Sequence, residues 1–92
     1  MAKKRDRLRI IYDILKAVHD KNGRIRPTHI LYKSNLSHQM MEEYLNELLG
    51  EEFIVENRRD DGGKTYSMTQ KGYDYINKYK MIAEFTDSFG LE

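Results

Sequence analysis

The side chains best equipped for chemistry in this sequence are charged groups and amides, and they fall in a few short segments. Lys3, Lys4 and Arg5 open the chain, and Arg58, Arg59 and Lys64 flank Asp60-Asp61-Gly62-Gly63. Cations gathered in this way can hold the phosphates of a polyanion. The same charges can also simply solvate a chain end or protect a strand edge from aggregation. Gln39 and Asn46 sit in the stretch SNLSHQMMEEYLNELL, residues 34–49. An amide side chain can make two hydrogen bonds to an adenine edge, or be ordinary helix-surface polarity. Glu42 and Glu43, in the same stretch, can accept from cytosine or repel wrong sequences. They can equally be solvated or pair with basic residues of a neighbouring element.

Other chemistries find little support. There is no cysteine, which rules out disulfides, thiolate zinc sites and cysteine nucleophiles. His19, His29 and His38 stand ten and nine positions apart, without a metal-ligand spacing. Gly62-Gly63 lies in a hairpin pattern, not between a strand and a helix where a glycine loop cradles phosphate. Asp60-Asp61 has no second carboxylate cluster to complete a metal site, and no Ser or Thr sits in a nucleophile motif. No enzyme activity, cofactor, metal or small-molecule substrate is therefore expected. No apolar run approaches the ~18 residues of a membrane span, and the charged N-terminus lacks the apolar core of a secretory signal. The expectation is a cytoplasmic protein with no membrane partner.

The net charge of +1 conceals a division. Residues 1–33 hold ten basic and three acidic side chains, and residues 34–57 hold six acidic and no basic ones. Residues 58–80 return to six basic against three acidic, and residues 81–92 carry three acids. A fold that brings the two basic segments together would create a cationic face despite the neutral total.

The elements that must position these groups can be read from periodicity. A basic arm, 1–5, precedes a helix over 6–21 with Leu8, Ile11, Ile14, Leu15 and Val18 on its apolar stripe and Asn22-Gly23 as its stop. Arg24-Ile25-Arg26 reads as a short edge strand. Pro27 suits the first turn of a short second helix, 27–33, which offers Ile30 and Leu31 to a core. Ser34-Asn35 turns into a third helix, 37–49, capped by Ser37, with Leu36 and Met41 as a hydrophobic staple and Gly50 as its left-handed stop. Met41, Tyr44, Leu45 and Leu48 face inward. A hairpin spans 53–68 around the Asp-Gly turn, with Tyr66 and Met68 inward and Thr65 and Ser67 outward. Thr69 caps a fourth helix, 70–84, whose stripe is Tyr75, Ile76, Tyr79 and Ile82. An apolar tail, 85–92, follows. Most of the seven tyrosines lie in apolar stripes, so core packing with the hydroxyl at the rim is preferred over base stacking. The fold class is α+β, mostly α, in one domain over 1–92: a three-helix core with a β-hairpin and a fourth helix.

Helix, turn, capped helix and hairpin is the layout of a winged helix-turn-helix. The text Arg26-Pro27-Thr28-His29-Ile30-Leu31-Tyr32, Ser34-Asn35-Leu36-Ser37, Tyr44-Leu45, Leu48-Leu49, Tyr66 and Thr69-x-Lys71-Gly72 resembles the small archaeal winged helix-turn-helix proteins, relatives of the Sulfolobus "ten-a" chromatin proteins. The resemblance implies binding of double-stranded DNA by a transcriptional regulator or chromatin-associated factor in the nucleoid, and a homodimer built through the C-terminal helix, here only three or four turns long. Under that reading Ser37, His38, Gln39 and Asn46 face bases. Lys3, Lys4, Arg5, Arg26, Thr28, Lys33, Ser34, Arg58, Arg59 and Lys64 contact phosphates, and Tyr75, Tyr79, Ile82 and Phe85 pair the dimer. The alternative is a protein-interaction module without DNA binding, docking through the acidic third helix. The location of the arm and hairpin relative to that helix separates the two.

Overall fold

A computed structural model describes residues 5–22 and 24–91. Helix α1, Arg7–Asp20, begins where the Asp6 carboxylate accepts the Arg9 N–H at 2.8 Å, a side-chain cap on an otherwise unpaired donor. Its stop falls at Asn22, which takes φ +52°; Gly23 lies outside the described residues. Ile25 does form an edge strand, but a minimal one: a single bridge in which Tyr66 N–H donates to Ile25 O at 3.1 Å. Pro27 then opens α2, Pro27–Ser34, and Asn35 closes it at φ +53°. Ser37 caps α3, His38–Gly50, by accepting the Met40 N–H at 3.2 Å. Leu36 and Met41 are both buried, as the staple requires.

The end of α3 departs from expectation. Gly50 is the last helical residue, and Glu52 takes the left-handed conformation at φ +62°. Phe53 N–H reaches Leu48 O at 2.9 Å and Glu52 N–H reaches Leu49 O at 3.1 Å, the paired bonds of a Schellman stop. The motif needs a residue two positions beyond Gly50 because Phe53 must then turn inward to pack. β1, Ile54–Arg58, and β2, Lys64–Met68, form an antiparallel ladder from Ile54↔Met68 to Arg58↔Lys64. Thr65 is buried alongside Tyr66, so the outward position expected for it is wrong.

The core gathers Ile14, Leu15 and Val18 of α1 with Ile25, Ile30, Leu48 and Ile54, all 0–1% exposed. Burying each such side chain contributes about 1.5–3 kcal/mol. Leu8 lies outside this core at 53% exposure, its place on the stripe taken by Ile10 and Ala17. Helix α4, Gln70–Ser88, has 19 residues, over five turns rather than three or four. Residues 85–88 are therefore helix, not tail. Among the described residues no helix is long and apolar enough to cross a membrane.

Thr69-x-Lys71-Gly72 joins α4 to the end of α3. Thr69 Oγ1 accepts the Gly72 N–H at 3.3 Å and donates to the carbonyls of Glu52 and Phe53. Lys71 Nζ donates to Glu51 O at 2.7 Å and lies 4.5 Å from the Phe53 ring centre. A Cβ on Gly72 would stand 2.5 Å from Phe53 O and 2.9 Å from Met68 Cγ. Helix propensity alone would make Gly72→Ala a gain of about 1 kcal/mol. The clash is with backbone and must outweigh it, so we expect a net loss of about 1–3 kcal/mol, read as a lower urea midpoint at unchanged slope.

Candidate nucleic-acid interface

The N-terminal turn of α3 exposes Ser37, His38 and Gln39, and about two turns further on Asn46 is exposed too. The helix surface has two flanks. On one, Glu42 and Asn46 line a groove with Pro27, Met41, Leu45, Lys64 and Tyr66, so the hairpin forms its far wall. On the other, Met40, Glu43, Tyr44 and Glu47 face Arg7. Arg7 is ion-paired with Glu47 and lies 5.8 Å from the Tyr44 ring centre. Gln39 Nε2 donates to Glu43 Oε1 at 3.2 Å.

A second cavity lies beside the groove and shares two of its residues. Arg26, Pro27, Thr28, Arg58, Gly62, Gly63 and Lys64 line it. Four of the side chains expected at phosphates, Arg26, Thr28, Arg58 and Lys64, are thus brought together although they come from separate segments. Arg59 stands at the hairpin tip with Asp60 and Asp61.

The hairpin also carries its own counter-charges, which sequence reading missed. Glu56 lies 3.6 Å from Lys64 Nζ and 4.0 Å from Arg58 Nε. Asp61 lies 3.4 Å from Arg26 and 3.7 Å from Arg59. The Gly63 N–H bond holds the Asp61 carboxyl below its ordinary value, and the charges of Arg59 and Arg26 add to this against some desolvation. The signal for Glu56 was available: residues two apart on a strand share a face, and Arg58 pairs with Lys64 across the ladder.

Other expected site residues are used differently. Ser34 is fully buried, which closes its hydroxyl to a phosphate; it has no hydrogen-bond partner among the described residues. Arg5 is held by Asp13 at 2.8 Å and by Asn35 O at 3.1 Å, so it ties the chain start to α1 and the α2 stop instead of extending as an arm. Lys33 is exposed. Lys3 and Lys4 lie outside the described residues.

The four residues assigned to pairing two chains divide as well. Tyr75 Oη donates to Leu8 O at 2.7 Å and its ring meets Phe53 edge-on at 5.6 Å. Tyr79 stacks on Tyr12 at 4.6 Å. Both are taken up in binding α4 to α1 within one chain. Ile82 and Phe85 are exposed at 60% and 59%, so the intramolecular stripe ends before Ile82.

The chain belongs to the winged helix-turn-helix family, whose profile matches residues 4–87. An uncharacterized protein of Methanocaldococcus jannaschii is 39% identical over 79 residues, 86% of this chain. The chain spans 34% of the length of that curated relative. Sso10a-2, a DNA-binding protein from Sulfolobus solfataricus, has a similar structure at TM-score 0.79, with 19% identity over 92% of this chain and 85% of that one. F93 from STIV, a winged-helix DNA-binding protein, gives a TM-score of 0.73 at 18% identity, over 88% of this chain and 92% of that one. MepR, a transcription regulator of the Staphylococcus aureus multidrug efflux pump MepA, gives 0.75 at 13% identity, over 87% and 60%. At these identities the likeness is one of fold. The winged-helix architecture and the archaeal resemblance read from the sequence both hold.

Tyr75 supplies a test of the α1–α4 contact. Its phenol is pushed up to about 12 from an ordinary value of 10.0, by burial first and then by Tyr79 and Asp6, with Arg7 opposing. A folded value above the unfolded one contributes stability fully present below about pH 10 and lost as pH rises through about 12. Tyr75→Phe is expected to cost about 1 kcal/mol at neutral pH through the lost Leu8 bond, and to show a shallower fall in urea stability above pH 10 than the wild type.

Proposed function

We propose that this protein binds double-stranded DNA, with α3 toward the major groove and the hairpin wing against the backbone. One observation carries the reading: the α3 groove and the basic cavity share Pro27 and Lys64. Groups suited to base edges and groups suited to phosphates therefore follow one another along a single face. The wing cations already have carboxylate partners, but these are exposed pairs of the kind worth about 0–1 kcal/mol, so phosphates can replace them at little cost. Arg26, Thr28, Arg58, Arg59 and Lys64 would then hold the backbone, with Lys33 further along α2. Ser37, His38, Gln39 and Asn46 would meet base edges. A role in transcription or chromatin is supported by the similar folds of a transcription regulator and of two DNA-binding proteins.

Titration of a fluorescent random-sequence duplex at low and near-physiological salt tests this. Affinity should weaken steeply with salt. The triple variant Arg58→Ala, Arg59→Ala, Lys64→Ala should lose at least about tenfold at low salt and reduce the logarithmic salt slope by about 3. Salt-independent affinity, or a triple variant equal to wild type, would sink the reading and favour a protein partner docked on the acidic α3.

The chain also forms a homodimer through α4. The reading is supported by Met81, Ile82, Phe85 and Phe89, which stand 59–67% exposed beyond the stack of Tyr79 on Tyr12. Apolar side chains gathered on one solvent-facing segment mark an interaction surface. Sedimentation should give twice the 11.0 kDa chain mass, and Ile82→Glu with Phe85→Glu should give the monomer with its fold retained. A wild type monomeric at all accessible concentrations would remove this part of the proposal.

A further inference from the structure

Helix α3 carries three acids and no Lys or Arg, an unfavourable surface to bring toward phosphates. The structure disposes of two of them. Glu47 is ion-paired with Arg7, and Glu43 accepts from Gln39; both belong to the flank turned toward α1. Glu42 is different. It is exposed, it has no hydrogen-bond or ion-pair partner among the described residues, and it lines the groove between α3 and the wing. Asn46 lies beside it, four residues on and so on the same helix face. Lys64, the cation that lines the wing wall of this groove, is already paired with Glu56.

From this arrangement we infer that Glu42 determines sequence specificity: its carboxylate accepts the exocyclic amino group of a cytosine at one position of the bound duplex and disfavours every duplex lacking one there. The inference rests on the DNA-binding reading above. Its physics is a difference between two states. In a non-specific complex the groove faces phosphates and acceptor-rich base edges, and an unpaired carboxylate meets only repulsion and desolvation. On a C·G pair the amino group lies in the major groove, and the same carboxylate gains a charge-assisted hydrogen bond. Asn46, adjacent on the helix, presents an amide to the neighbouring pair. The cationic wing then supplies affinity common to all sequences, and Glu42 withholds it from the wrong ones.

The test selects bound duplexes from a randomised library with wild type, Glu42→Gln and Glu42→Ala, and titrates each protein with random-sequence duplex at one salt concentration. Glu42 is exposed, and thermal melting confirms that each variant is folded. Wild type should enrich a motif with cytosine at one position. Glu42→Gln should shift that position toward adenine, as an amide pairs with the adenine edge, and Glu42→Ala should erase the preference there while leaving the other positions intact. Both variants should bind random duplex about tenfold tighter than wild type. Variants that bind random duplex no more tightly and select the same motif overturn the role of Glu42 and leave DNA binding standing. Absence of binding to any duplex by all three proteins at low salt overturns the DNA-binding reading itself, and this inference with it.

Discussion

The rest of the structure depends on how closely α4 approaches the end of α3. At that junction the backbone of Phe53 occupies the space a side chain on Gly72 would need, while Thr69 binds the carbonyls of Glu52 and Phe53. β1 starts immediately after Phe53 and β2 ends immediately before Thr69. Both legs of the hairpin are therefore fixed at one point, directly after the Schellman stop of α3. The direction in which the wing leaves the body, and with it the groove between wing and α3, follows from this clamp. Lys71 adds a charge where the carbonyls at the end of α3 concentrate negative potential, and covers the Phe53 ring.

Electrostatics in the molecule is organised as local neutrality with selected exceptions. Several acids beside the basic segments have partners: Asp13 with Arg5 and Arg9, Glu47 with Arg7, Glu56 with Arg58 and Lys64, Asp61 with Arg26 and Arg59. The pairs are exposed or half-exposed, so they add little to stability, but they hold long side chains near one another before any ligand arrives. A basic surface built this way presents exchangeable cations. Glu42, with neither an ion pair nor a hydrogen bond among the described residues, is the exception among the acids of α3, and it stands in the groove.

Helix α4 divides its length between two tasks. Up to Tyr79 its side chains are spent on the body, through Ile76 in the core, the Tyr75 bond to Leu8 and the stack of Tyr79 on Tyr12. Beyond that point Met81, Ile82 and Phe85 are exposed, and the Phe85 and Phe89 rings meet with centres 4.9 Å apart. One continuous helix thus carries the orientation of the core out to a surface with different chemistry.

The sequence by itself determined what local rules control. Ser37 and Thr69 had to cap because a free helix end needs an acceptor, Pro27 could open a helix, Leu36 and Met41 could staple one, and Asp-Gly could turn a hairpin. Winged-helix order was legible for the same reason: each boundary depends on residues within a turn of it. Tertiary structure alone decided what depends on distance in space. Ser34 looked like a polar turn residue and is fully buried; Arg5 looked like a free arm and is tied to Asp13 and Asn35. Gly50 looked like the stop of α3, but packing of Phe53 moved the left-handed residue to Glu52. The joining of Arg26 and Thr28 with Arg58 and Lys64 was equally invisible, because residues some thirty positions apart meet only once the bridge from Ile25 to Tyr66 has closed. Charge and burial are properties of surfaces, and a surface exists only after the chain has folded.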